Sequence, residues 1–269
     1  LSSAQLKPSE FAYLLALLNA PNVVGLEDSA LFPTKSSTRD STYSQGREEL
    51  EIAGWLKPAP DHPDEYELNP FLLEMVSVVA TPEFVVDTSY SNGESEFRQV
   101  LHYVVDDSVV ELSVSAEGIY QMGSVPDHET LFARIAEMLC LTTARQAQQF
   151  TLDETVFEDI QSLSKKGHSK EAVKLLDSTD LDRTNGQSFI DALAGSTTGQ
   201  IVVVSLDSGQ VISGRRASVF GGGDSAWLVK RRERVSSELD IASCDSTSIG
   251  ALINEWIDEL SDQRRLGRK

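Results

Sequence analysis

The residues able to do acid–base, nucleophilic or metal chemistry are few and scattered. His62, His102, His128 and His168 form no close metal-ligand pair with one another or with a cysteine. His128 stands one residue into a predicted helix and reads as a surface group, while His102 lies in a predicted strand and reads as structural. Cys140 and Cys244 lack a partner motif for thiol chemistry, and two cysteines are too few for a disulfide framework. The paired carboxylates Asp106-Asp107 and Glu48-Glu49 fall in a turn and on a helix surface, and nothing sets a second carboxylate across a cleft at glycosidase spacing. Gly221-Gly222-Gly223-Asp224 is the one glycine cluster. A phosphate loop would need a helix directly behind it, but Ser225-Ala226-Trp227-Leu228-Val229-Lys230 is strand-like, so the cluster reads as a hairpin turn. No cofactor, no metal and no enzymatic activity are expected.

Charge points the same way. Net charge is −19 over 269 residues. Residues 1–150 hold 8 Lys or Arg against 23 Asp or Glu, a balance of −15, and residues 151–269 hold 15 against 19, a balance of −4. Such a field repels phosphate backbones and favours solubility or a basic or neutral protein partner. The basic clusters Gly214-Arg215-Arg216 and Lys230-Arg231-Arg232-Glu233-Arg234 fall on predicted neighbouring strands. They read as a stripe for nucleic acid, as the solvated face of an antiparallel sheet, or as cations paired with the acidic first half; the overall charge opposes the first.

The elements that must position these groups follow from periodicity and turn residues. Helical spacing predicts helices at 9–19, 47–53, 71–80 and 128–141, with Pro70 as a first helical residue and Asp127 as a cap. Residues 25–46, rich in Ser, Thr and Pro, read as a long surface loop. Strands are predicted at 83–90, 96–105, 109–115 and 118–123, with turns at Asn92-Gly93 and Asp106-Asp107. Thr142 to Gln149 reads as a link between the halves or as an extension of the 128–141 helix. Helices at 152–165 and 168–177, a loop at 180–186 and a helix at Phe189 open the second half. Strands at 200–206, 210–220, 225–234 and 237–241, a helix at 246–260 and a basic tail at 264–269 complete it. Alternation puts Trp227, and helical spacing Trp256, in the core. No apolar run approaches the ~20 residues that span a bilayer, and the first residues show no signal pattern, with a leader removed before Leu1 left open.

The two series repeat. Phe71 to Ala80, Thr81-Pro82-Glu83 and Phe84-Val85-Val86 recur as Phe189 to Ala194, Thr198-Gly199-Gln200 and Ile201-Val202-Val203. Leu131, Ile135, Met138 and Leu139 fall opposite Ile249, Ile253, Trp256 and Ile257. An offset of about 118 residues across four elements predicts an α+β fold: two similar lobes, 1–150 and 151–269, sharing a central antiparallel sheet with flanking helix groups.

The series Arg47-Glu48-Glu49-Leu50, Ala53-Gly54-Trp55-Leu56, Leu68-Asn69-Pro70-Phe71-Leu72-Leu73 and Ala80-Thr81-Pro82-Glu83, with Gly199-Gln200-Ile201-Val202-Val203 and a final helix, resembles the EspG family of type VII (ESX) secretion chaperones. The glycine turn at 221–224 and the basic strand at 230–234 depart from that pattern. The resemblance implies a quasi-two-fold α+β fold without ATP or metal. It also implies a cytoplasmic chaperone that covers the hydrophobic tip of a helical, PE–PPE-like client and keeps it soluble for export.

Client contact would come from loops between strands, and on loop position the residues assigned to it are Asp106, Asp107, Ser108, Phe220, Gly221 and Gly222. The alternative is a transcriptional regulator or interaction module with a winged-helix-like lobe built from helices 9–19, 47–53 and 71–80 and a hairpin. Those helices carry only Arg47 among several acids, which disfavours DNA. No membrane insertion is expected, and a homodimer is compatible with the sequence.

Overall fold

Runs of β-branched and aromatic residues, broken at left-handed turns, form one ten-stranded antiparallel sheet. The computed structural model describes residues 3–267 apart from 21, 27–28, 61, 63–64, 94–96, 140, 142–147, 178, 180, 196, 223–224 and 233–235. The chain opens with strand β1 (Ser3–Leu6) and helices α1 (Pro8–Leu17) and α2 (Ser36–Ile52). A small hairpin, β2 (Leu56–Pro58) and β3 (Tyr66–Leu68), leads to α3 (Pro70–Ala80). Strands β4 (Phe84–Ser91), β5 (Phe97–Val105), β6 (Ser108–Val114) and β7 (Tyr120–Val125) precede α4 (His128–Met138). Next come β8 (Gln149–Asp153), α5 (Glu154–Lys165), α6 (Ser169–Leu175) and α7 (Arg183–Ala194). Strands β9 (Thr197–Asp207), β10 (Gln210–Gly222), β11 (Ser225–Arg231) and β12 (Glu238–Ser243) lead to α8 (Ser246–Gly267).

Apart from the β2–β3 hairpin, the series strand, three helices, four strands, helix occurs twice along the chain. The sheet order is β1-β7-β6-β5-β4-β9-β10-β11-β12-β8, so β1 and β8 are its outer strands. By packing, the chain divides into two compact units. Unit 1 holds Leu1–Val86, Val100–His128 and Val204–Ser213; unit 2 holds Asp87–Gln99, Glu129–Val203 and Gly214–Lys269. The units are defined by packing density, a criterion different from the one behind the halves 1–150 and 151–269 expected from the sequence.

In unit 1, α3 shows how sequence sets structure. Asn69 Oδ1 accepts from the Phe71 amide at 3.0 Å, and Pro70 occupies the first helical position, where a missing N–H costs nothing. The buried face is Leu72, Met75, Val76 and Val79. It joins Phe11, Leu14, Leu15, Tyr103 and Tyr120 in one core. Unit 2 is built around aromatic rings. Phe189 stands 5.3 Å from Trp227 and 5.4 Å from Phe150, both edge-on, and Phe157 lies 6.0 Å from Phe220. Trp227 and Trp256 are both buried, as alternation and helical spacing predict.

Several boundaries differ from the sequence reading. Residues 36–46, predicted as loop, are the first part of α2. Their Ser and Thr content lowers intrinsic helicity, but packing against α1 overrides it. Gly46 lies so close to α1 that a Cβ there would stand 2.0 Å from the Ser9 carbonyl oxygen. Strands β1 and β8 are too short to show a period; each is defined by its partner, with Leu6 opposite Tyr120 and Leu152 opposite Leu239. Helix α7 starts within the predicted 180–186 loop because Asp182 caps it through the Thr184 and Asn185 amides. Helix α8 continues to Gly267, through most of the predicted tail. Cys140, Gly223, Asp224 and residues 142–147 of the predicted link lie outside the described residues.

Candidate functional site

The turns assigned to client contact are built by hairpin geometry. In unit 1, β5 and β6 pair in register, with Val105 opposite Ser108, and leave Asp106-Asp107 as a two-residue turn. Asp106 takes φ 49°, a left-handed conformation that Asp tolerates better than most side chains. Asp106, Asp107 and Ser108 are exposed. A second turn belongs to the same end of this unit. The Glu83 amide donates to the Val104 carbonyl and the Leu206 amide to the Glu83 carbonyl, each at 2.9 Å. Val104, Glu83 and Leu206 therefore lie on one line across β5, the residue preceding β4, and β9. Asp106 and Ser208 each stand two residues beyond it. Ser208 (φ 51°) and Gly209 (φ 76°) make the tight β9–β10 turn. Just past it, Val211 and Ile212 are 53% and 48% exposed. Successive strand residues point to opposite faces, so this hairpin tip shows aliphatic surface on both. The sequence reading missed it; the available signal was two adjacent β-branched residues one position past a Ser-Gly turn, where alternation calls for one to be polar.

In unit 2, Phe220, Gly221 and Gly222 end β10 and pair with Trp227, Ala226 and Ser225 of β11. The Phe220 ring is only 8% exposed and belongs to the aromatic core, so it presents little side-chain surface. Gly221 is also hemmed in: a Cβ on Gly195 would stand 2.6 Å from its carbonyl oxygen. Phe97, at the start of β5, is 70% exposed and is a second apolar group that the sequence reading did not single out.

The basic clusters meet acids of unit 2. Arg215 Nε lies 3.0 Å from Glu259 Oε2, Lys230 Nζ 4.0 Å from Glu255, and Arg231 2.5 Å from Glu154. Arg232 lies 3.1 Å from Glu238 and 4.0 Å from Asp240. Every one of these carboxylates belongs to residues 151–269, so pairing with the acidic first half is not what these cations do. All but Glu238, together with Phe157 and Trp256, line a groove of about 1160 Å³. Five cations there face Glu154, Glu158, Asp240, Glu255 and Glu259, so the lining carries no net charge.

Two histidines each meet one carboxylate. His102 is buried in β5, and its Nε2 lies 3.1 Å from Glu111 Oε2 on the facing residue of β6. His168 Nδ1 lies 3.3 Å from Glu171. Cys244 is buried and free, and desolvation, with Asp245 adding to it, pushes its thiol up to about 12. Among the described residues, no group of three His, Cys, Asp or Glu could hold a metal ion. No helix among them is long and apolar enough to cross a membrane.

No protein-family model and no curated protein matches the sequence. The structure does match a solved one: the type VII secretion system chaperone EspG5 of Mycobacterium tuberculosis, determined in complex with a PE25-PPE41 dimer. The match covers 96% of each chain with a TM-score of 0.65, at 14% sequence identity. At that identity the likeness speaks for architecture, and the conclusion it supports is that this α+β chain has an EspG-like fold.

Proposed function

We propose that this protein is a non-enzymatic cytoplasmic chaperone that holds the apolar tip of a helical, PE–PPE-like client and keeps it soluble for type VII export. The observation that carries the reading is the end-to-end likeness to a chaperone solved with a PE25-PPE41 dimer on it. The contact residues in this reading are the exposed turn Asp106, Asp107 and Ser108 and the turn Phe220, Gly221 and Gly222, where Phe220 anchors the strand end from the core. The two chain halves, 1–150 and 151–269, are read as a duplicated α+β lobe, which the doubled element order supports. No cofactor takes part: covering a client's apolar tip is favourable by about 25 cal/mol per Å² before association costs. The net charge of −19 supports a protein partner over nucleic acid.

The test is association in solution with a panel of purified PE–PPE dimers, PE25-PPE41 included, by size exclusion with light scattering. Co-elution with at least one dimer as a defined complex is expected. Separate elution from every member, at concentrations of tens of micromolar (on the order of a weak specific complex), overturns the reading.

A further inference from the structure

We infer that the α5 side of the groove in unit 2 is a docking site for an extended peptide segment carrying an acidic and a basic side chain two residues apart, the acid meeting Arg216 and the base Glu158. This goes beyond the client reading, which uses strand-end turns and an apolar tip, and it stands or falls separately.

The groove opens where a strand pair ends. The β10–β11 ladder stops at Ala217 opposite Lys230. The next opposite positions are Arg216 and Arg231, and like charges directly opposite disfavour pairing. Successive strand residues point to opposite sides. Arg216 therefore shares a side with Phe220, which lies against Phe157 of α5, whereas Arg215 faces the side where α8 supplies Glu259. On α5, Glu154, Phe157, Glu158 and Gln161 line the groove at i, i+3, i+4 and i+7, which is one face of a helix.

The two sides differ in how their charges are met. On the α8 side, Arg215 pairs with Glu259, Lys230 with Glu255 and Arg232 with Asp240. On the α5 side only Arg231 and Glu154 pair. Arg216 and Glu158 line the same groove and are both exposed, and among the described residues neither has an ion-pair partner. Arg216 instead meets a neutral group: with its amide oxygen turned to the guanidinium, Gln200 accepts from Arg216 Nη2 at 3.2 Å. One cation and one carboxylate are left over in a groove whose other lining charges are matched from within.

This leftover pair selects the occupant. A segment with two acids meets Arg216 but also faces Glu158, and one with two bases meets the reverse conflict. One of each sign matches both. Arg216 stands opposite Arg231, which holds Glu154 at the start of α5, and Glu158 lies one helical turn, about 6 Å, further along. Same-side residues of an extended chain repeat at about 6.7 Å, so side chains two residues apart reach both. A free amino acid carries its ammonium and carboxylate on one carbon and does not span them.

The test uses the full chain and four end-capped pentapeptides of valine and threonine that differ only at their second and fourth positions. One carries a glutamate and a lysine there, and the others two glutamates, two lysines or two glutamines. Binding is read by titrating the backbone amide NMR signals. The mixed peptide is expected to bind about tenfold more tightly than the other three, to shift amides of α5 and of residues 214–218 and 229–231, and to weaken severalfold from about 50 to 500 mM salt. Arg216→Glu should turn the preference to the two-lysine peptide, and Glu158→Lys to the two-glutamate one. Free glutamate and lysine added together should not displace the mixed peptide. Both substituted side chains are exposed, so the melting temperature is expected to stay unchanged, which separates altered contact from lost folding.

No binding, no advantage for the mixed peptide, a preference that either charge reversal leaves unchanged, or displacement by the free amino acids overturns the inference. Those outcomes leave the client reading standing. Failure of every PE–PPE dimer to co-elute sinks the client reading and leaves this one intact.

Discussion

Asp106 and Ser208 hold left-handed backbone conformations, with φ of 49° and 51°. For most side chains this costs about 1 kcal/mol. Ser208→Gly is therefore expected to raise stability by about 0.5 kcal/mol, the relief of the left-handed strain less the greater entropy of an unfolded glycine. Urea unfolding reads that difference. The acid limb of stability is expected to report two glutamates with opposite signs. Burial pushes the Glu49 carboxyl up, but hydrogen bonds from Ser9, Lys7 and Gln45 outweigh it and hold the group below the usual carboxylate range. Its contribution is present above the unfolded value of about 4.3 and is lost as pH falls through the lower folded value. Glu10 is raised, chiefly by burial, against the hydrogen bond from the Lys7 amide. Its contribution is complete below the unfolded value and is lost as pH rises through the raised folded one. Glu49→Gln should therefore flatten the loss of stability below about pH 4.3, and Glu10→Gln should add stability at neutral pH, both measured by urea titration from pH 3 to 7. Of the residues assigned to contact, the exposed acids were legible because Asp-Asp between two β-rich runs is a turn by its own chemistry. Phe220, assigned to contact from its place at a strand end beside glycines, has its ring against that of Phe157 in the core, which the sequence did not reveal.

At the scale of elements, the sequence was readable where a local device marked a boundary. Asn69-Pro70 starts α3, and left-handed Gly93, Asp106 and Gly209 close strand pairs. It was opaque where an element exists by virtue of its neighbour. Most of α2 has a loop-like composition and is helical because it lies along α1, with contact close enough to exclude a side chain at Gly46. Gly46→Ala is accordingly expected to cost at least about 2 kcal/mol, since backbone must move to admit the methyl group, whereas at an exposed helical site the same change would stabilise by up to about 1 kcal/mol. A chemical-denaturation midpoint decides between these opposite signs. Strands β1 and β8 are a milder case: four or five residues carry too little period to be seen until β7 and β12 supply the register.

For the whole molecule, architecture was more legible than purpose. The α+β class was legible, and the EspG-like fold agrees with the resemblance carried by the segments around Gly54, Pro70 and Pro82. The shared level of the Asp106 and Ser208 turns was not legible, because they lie about 100 residues apart in sequence and are related only through the short hydrogen-bonded line at Glu83. Nor could composition reveal that the basic strands spend their charge on α5 and α8. In the proposed reading, a partner meets strand-end turns, some acidic and some apolar. Hydrogen–deuterium exchange of the full chain, alone and with the PE–PPE dimer that co-elutes with it, tests this most directly. Protection is expected at the strand-end turns, around residues 104–109 and 206–213 and at 220–226. Unchanged exchange throughout, or protection confined to the groove lined by Arg215, Arg231, Phe157 and Trp256, would contradict it.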